Sequence, residues 1–338
     1  MTRNPIGVGE HYASLDGIRG ILAVAVMLFH YGSDTILSHA TRGSLPKGAW
    51  ELCVDFFFIL SGFVLCQSYQ KRRPGIIEYI IKRALRLFPL FAITTISIIV
   101  INFKIPELKV LLSNITLSQS VINLPSINHP AWSISFELYF PILFLFALPF
   151  FKSNRRVLFP FFLAGSAACC FALMTGHSLP HARAFFSLGL GFLLNFTTSD
   201  WGEESKIPTL YLSFIGCLFI LIFGRSIPLL SVALPALSVI SIVHGRAGVT
   251  LFSSKLILAL GQWSYGIYLI HIPVLLAFEK LVGTQPSRHI GAKALMVIAT
   301  IALAGIAHNL VEQPAIHLSK RIFAKRRPNR ITPDERAC

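Results

Sequence analysis

The chain has 338 residues, of which 54% are hydrophobic and only 13% charged, and it carries a net charge of +15. A soluble domain holds about 25% charged residues, so a soluble globular enzyme is excluded and an integral membrane protein is indicated. The positive charge does not point to nucleic acid, because the basic residues cluster between apolar segments and at the C-terminus, where membrane proteins carry them in cytoplasmic loops.

Ten apolar segments are predicted, over residues 18–32, 50–69, 85–102, 132–151, 157–174, 184–196, 207–224, 227–243, 256–278 and 292–311. Several are shorter than the ~20 residues that a membrane-crossing helix needs, so their helices should extend into the flanks. Of the 30 Lys and Arg, 21 fall at the N-terminus, after even-numbered segments or at the C-terminus. The positive-inside rule then puts both termini in the cytoplasm. The expected fold class is an all-α integral membrane protein, a bundle of about ten transmembrane helices that is multi-pass in the plasma (inner) membrane. It should be a single domain, with the bundle over 10–316 and a basic cytoplasmic tail over 317–338. No additional extracytoplasmic domain is expected. The longest outward loop, 104–131, holds a mixed stretch over 110–124 suited to an interfacial or re-entrant helix that covers a cavity.

The first segment sets the chemistry. Arg19 and His30 flank ten uncharged residues. Eleven steps of about 100° bring both side chains to one face, roughly 16 Å apart along the axis. Asp34 follows one turn later. Arg, His and Asp in a membrane helix are costly and need polar company, so they mark a functional site. Arg83 and Arg86, at the start of the third segment, share a helix face. They read either as a guanidinium fork for phosphate or as a plain positive-inside cluster. Glu137 lies inside the apolar run that opens at Trp132 and needs a partner or water; His30 and Arg19 are candidates. In the ninth segment Tyr265, Tyr268 and His271 recur every three residues and line either a polar cavity or an aromatic seam between helices. Glu312 and Pro314 are expected to end the tenth segment, with Glu312 holding Arg83 or Arg86 or capping the bundle. Five of the six cysteines lie in or beside apolar segments and read as packing residues, and no zinc spacing is present.

Six motifs fall in order along nearly the whole chain: Leu15-Asp16-Gly17-Ile18-Arg19-Gly20 with His30, Phe57 to Phe63, Arg83 to Pro89, Trp132 to Glu137, Ser264 to Tyr268 with His271, and Glu312-Gln313-Pro314. In this order they resemble the membrane acyltransferase-3 family. The resemblance implies a ten-helix bundle that moves an acyl group, usually acetyl from acetyl-CoA or another acyl-CoA, onto a hydroxyl of a carbohydrate or glycolipid acceptor, with some relatives modifying small secreted metabolites. It carries the family's arginine-ten-histidine motif onto Arg19 and His30 and its paired arginines onto Arg83 and Arg86. Glu312 takes the closing acidic position and Glu137 that of the fourth helix. No metal is implied.

On this reading acyl-CoA meets Arg83, Arg86 and Arg19 from the cytoplasm, and its thioester runs toward His30. Neutral His30 acts as general base on an acceptor hydroxyl, or as a transient acyl carrier. Asp34 or Glu137 orients the ring, and Tyr265 and Ser61 are candidate oxyanion donors. The rival class is a proton-coupled transporter using the same buried His, Arg and Glu; no paired halves or matching broken helices are visible for it. A non-catalytic assembly factor is weaker still, because it leaves the Arg19–His30 spacing unexplained.

Overall fold

Apolar runs with little alternation fold as helices, and no strand occurs among the described residues. The structure, a computed structural model, describes residues 13–32, 51–72, 74–198, 254–282 and 290–324. In chain order the helices are α1 (Ala13–His30), α2 (Glu51–Arg72), α3 (Ile76–Asn102) and α4 (Leu108–Ile115). A 3-10 turn (His129–Ala131) leads into α5 (Trp132–Phe146), α6 (Leu148–Ser153), α7 (Arg155–Met174) and α8 (Pro180–Thr198). Then come α9 (Lys255–Gln262), α10 (Ser264–Val282), α11 (Ile290–Ala307), a π turn (His308–Glu312) and α12 (Gln313–Ala324).

Five stretches among the described residues are long and apolar enough to cross a membrane: Cys53–Gln70, Ile76–Asn102, Arg155–Leu173, Ser264–Val282 and Ile290–Phe323. They leave large apolar side chains exposed, such as Val157 at 73% and Ile298 at 64%. Such exposure is costly in water and free of cost against lipid. The predicted segments 207–224 and 227–243, residue Asp34 and the tail beyond residue 324 lie outside the described residues.

Several predicted boundaries move, and each shift bears on the site. Helix α3 begins at Ile76 rather than at residue 85, so Arg83 and Arg86 lie inside a helix and not at its margin. The fourth segment breaks at Ala147 into α5 and α6, and the ninth breaks at Trp263 into α9 and α10. The tenth does not end at Glu312. It runs from Ile290 to Phe323, 34 residues. Pro314 has no N–H to give the ladder, and the Gln313 N–H reaches back five residues to His308 O. The ladder widens by one residue instead of stopping. The 104–131 loop carries a helix, but over Leu108–Ile115 rather than 110–124.

Glycines set the closest helix contacts. A Cβ at Gly62 of α2 would stand 2.1 Å from Leu188 O, and one at Gly191 of α8 would stand 2.1 Å from Ile59 O. The two backbones touch there, as small residues permit in membrane bundles. Gly62→Val must push two backbones apart. It is expected to cost at least about 1–3 kcal/mol, read as a lower melting temperature and loss of monodisperse protein in detergent. Gly20 and Gly261 do the same for α1 and α9: a Cβ at Gly261 would lie 2.3 Å from Asp16 O. That approach brings Arg19 to Ser264 and Tyr265, which line the same pocket.

Helices α2 and α8 are also joined by a buried ion pair. Arg183 Nε and Nη2 donate to the Asp55 carboxylate at 3.2 and 3.0 Å. Asp55 is 2% exposed and Arg183 1%. The guanidinium lies 5.7 Å from the Trp132 ring, so Trp132 caps the pair from α5. Below it, phenyl rings fill the space between α5, α7 and α8: Phe144 is 5.3 Å from both Phe185 and Phe192, centroid to centroid.

Candidate active site

Helices α1 and α10 pack side by side, and the predicted polar residues of both turn into one seam. At one end lies a cluster of charges. Arg83 is 9% exposed, and its Nη2 donates to Glu137 Oε2 at 2.8 Å. Ser61 donates to the other carboxylate oxygen at 2.8 Å. The partner of Glu137 is therefore Arg83, with Ser61 beside it, and not His30 or Arg19.

Arg86, on the same helix, is solvent-accessible and interacts electrostatically with Arg19, Arg83, Glu137 and Glu312. Glu312 accepts from His308 Nδ1 at 3.3 Å across the π turn, and its other oxygen, Oε1, is buried without a partner. The expected grip of Glu312 on Arg83 or Arg86 is replaced by this local one, with Arg86 and Arg19 in electrostatic range. The Nε atoms of Arg19 and Arg83 are likewise buried and unbonded. Three guanidiniums face two carboxylates, which leaves the cluster one positive charge in excess. Uncompensated charge and open hydrogen-bonding positions are costly in a low dielectric, so the arrangement is suited to an anionic ligand.

At the other end are imidazoles. His271 Nδ1 lies 3.0 Å from Ile267 O. A carbonyl only accepts, so that nitrogen carries the proton and neutral His271 presents the Nε2 lone pair. This lone pair stands 3.2 Å from His30 Nδ1, which is also 2.9 Å from Val26 O. His30 Nδ1 thus donates to both, and the neutral His30 ring carries its lone pair on Nε2. The side-chain partner of His30 Nδ1 among the described residues is the His271 ring; Glu137 is bonded to Arg83 instead, and Asp34 lies outside the described residues. His271 is itself held from behind: the Tyr31 hydroxyl donates to His271 O at 2.9 Å and lies 2.6 Å from Thr300 Oγ1. A third ring, His129, sits 6.1 Å from His30, centroid to centroid.

Between the two ends is a cavity of about 40 Å³ lined by Arg19, Phe57, Phe58, Glu137, Tyr265 and Tyr268 among others. Tyr265 and Tyr268 line it, as one of the two sequence readings has it, but their hydroxyls are committed. Tyr265 donates to Leu87 O at 2.5 Å and Tyr268 to Pro130 O at 2.9 Å. Ser61 is spent on Glu137, so neither expected oxyanion donor is available in this arrangement. Trp132 supports the wall from outside, its ring 5.9 Å from Phe58.

Sequence reasoning overlooked the Asp55–Arg183 pair, His308, and the specific role of His271. The rule that singled out Glu137, a carboxylate inside an apolar run, applies equally to Asp55. Arg183, one residue before the predicted segment 184–196, lies within α8. Among the described residues no group of three or more His, Cys, Asp or Glu is placed to hold a metal ion.

Comparison with known proteins matches residues 12–308 to the acyltransferase domain of the acyltransferase-3 type. Acyltransferase MdmB of Streptomyces mycarofaciens is 25% identical over 95% of this chain and 95% of its own. O-acetyltransferase OatA of Staphylococcus aureus is 22% identical over 93% of this chain, which spans 59% of that longer protein. No solved structure matches. The motifs, the apolar helices and a match over most of the chain agree: this protein belongs to the acyltransferase-3 family and is a membrane acyltransferase.

Proposed function

We propose that this protein moves an acetyl group from cytoplasmic acyl-CoA to a hydroxyl of a carbohydrate or glycan at or beyond the membrane. His30 serves as general base. The observation that carries this reading is the proton arrangement of the two histidines, which puts the His30 lone pair on Nε2 and backs the ring with an acceptor. The acceptor hydroxyl gives its proton to Nε2 as its oxygen attacks the thioester carbonyl. The C–O bond forms, the C–S bond breaks, and the thiolate takes the proton back from His30. The charge on the transient imidazolium is shared through Nδ1 with His271, as an orienting partner does for a catalytic histidine. Direct transfer needs no acyl-histidine.

Arg19, Arg83 and Arg86 are proposed to bind the phosphates of the donor, with Glu137 and Glu312 holding the guanidiniums apart until it arrives. The family match favours transfer over proton-coupled transport. We place the protein in the plasma (inner) membrane as about ten spans with both termini cytoplasmic, on the charge distribution alone.

Arg86→Ala is expected to raise KM for acyl-CoA about 10- to 100-fold and to leave kcat within a few-fold, since one charge-assisted hydrogen bond contributes about 1.5–3 kcal/mol. Steady-state kinetics on purified protein in nanodiscs checks this; an unchanged KM removes Arg86 from the donor site. The reading as a whole is tested by acyl-CoA-dependent labelling of the producing cell's glycans and secreted metabolites, with and without this gene. Identical acylation in both rejects it.

A further inference from the structure

The turn before α5 is tied down on both sides of a solvent-facing histidine. The Asn128 side chain is fully buried. Its amide donates to Thr94 Oγ1 on α3 at 3.2 Å and to Leu269 O on α10 at 3.0 Å. Beyond the histidine, Pro130 O accepts from the Tyr268 hydroxyl at 2.9 Å and from Ser133 Oγ at 3.3 Å. Ala131 O accepts from the Gln119 amide at 3.3 Å. A simple chain reversal does not need a buried carboxamide bridging two helices, because a surface turn satisfies its backbone with water. Here the bonds fix the one exposed side chain between them, His129, with its ring centroid 6.1 Å from that of His30. His271 takes the Nδ1 side of His30 at 3.2 Å, so the two neighbouring rings have different tasks.

We propose that His129 is an acceptor-binding residue. Its imidazole hydrogen-bonds a hydroxyl of a sugar or other polyol and so holds the reacting hydroxyl against His30. Hydrogen bonds of about 2.8 Å from one hydroxyl, or from two vicinal ones, span the space between rings at this separation. His129 forms no covalent bond, and the proton of the reacting hydroxyl goes to His30. The inference rests on the general-base reading of His30 and adds to it the residue that selects the acceptor. An amphiphile offering a single isolated hydroxyl gains less from His129 than a diol does.

The test is transfer from acetyl-CoA to methyl glucoside and to glycerol by the full-length protein in nanodiscs. Wild type, His129→Ala and His129→Gln are compared. Because the side chain is exposed, the variants are expected to fold as wild type does, and the melting temperature reports this. One neutral hydrogen bond corresponds to about a 3- to 10-fold change. His129→Ala is therefore expected to raise the acceptor KM by that factor. KM for acetyl-CoA stays unchanged. His129→Gln, which keeps a donor and an acceptor, recovers part of the loss. An unchanged acceptor KM, or equal rises for donor and acceptor, overturns this inference alone. Absence of transfer by wild type, or full activity of His30→Ala, overturns the reading beneath it as well.

Discussion

His30→Ala is expected to lower acyl transfer by about 10²–10⁴-fold, the range that a positioned general base contributes, while expression and membrane insertion stay normal. The ring is only partly buried, so its removal opens no large void. The loss is therefore one of rate and not of folding. His271 separates this role from mere packing, because it is the acceptor for His30 Nδ1. His271→Ala should lose rate without acting on substrate, since His30 Nδ1 then keeps its bond to Val26 O but loses its ring partner. His271→Gln places an amide oxygen near the lost Nε2 and should restore part of kcat. The measurement is single-turnover acetyl transfer with donor and acceptor saturating. A normally expressed His30→Ala protein that transfers at the wild-type rate removes His30 from the chemistry.

Asp55→Ala is expected to be the most damaging change to stability. The carboxylate is bonded twice by Arg183, and both side chains are almost fully excluded from solvent. Deleting the carboxylate takes two charge-assisted bonds from a buried guanidinium, and breaking a buried pair in this way costs about 3–5 kcal/mol. Arg183 also lies under Trp132, so the junction of α2, α5 and α8 loosens together. The expected outcome is little monodisperse protein in detergent and a sharply lower melting temperature. Replacing both partners, as Asp55→Leu with Arg183→Met, removes the charge along with its partner and should recover much of the stability. If Asp55→Ala melts as wild type does, the pair is not holding the bundle.

Composition was enough to identify a helical membrane protein, because 13% charged residues cannot solvate a chain of this length. Polar residues inside apolar runs were enough to single out side chains that come together: Arg19, Glu137, Tyr265 and Tyr268 line one cavity, and His30 and His271 meet between α1 and α10. Helix periodicity tells which residues share a face. It does not tell which neighbouring helix that face meets. For this reason Glu137, expected to meet His30 or Arg19, is bonded to Arg83; Glu312, expected to hold an arginine or cap the bundle, is bonded to His308; and the His271 ring beside His30 was not foreseen.

From the order of residues alone came the solvent in which this chain folds, the helices that solvent demands, and the polar side chains too costly to be there by accident. The pairing of those side chains was decided only by tertiary packing. Contacts such as Gly20 on Gly261 and Gly62 on Gly191 set which helix lies against which, and in a low dielectric an ångström of approach determines which charge finds which partner.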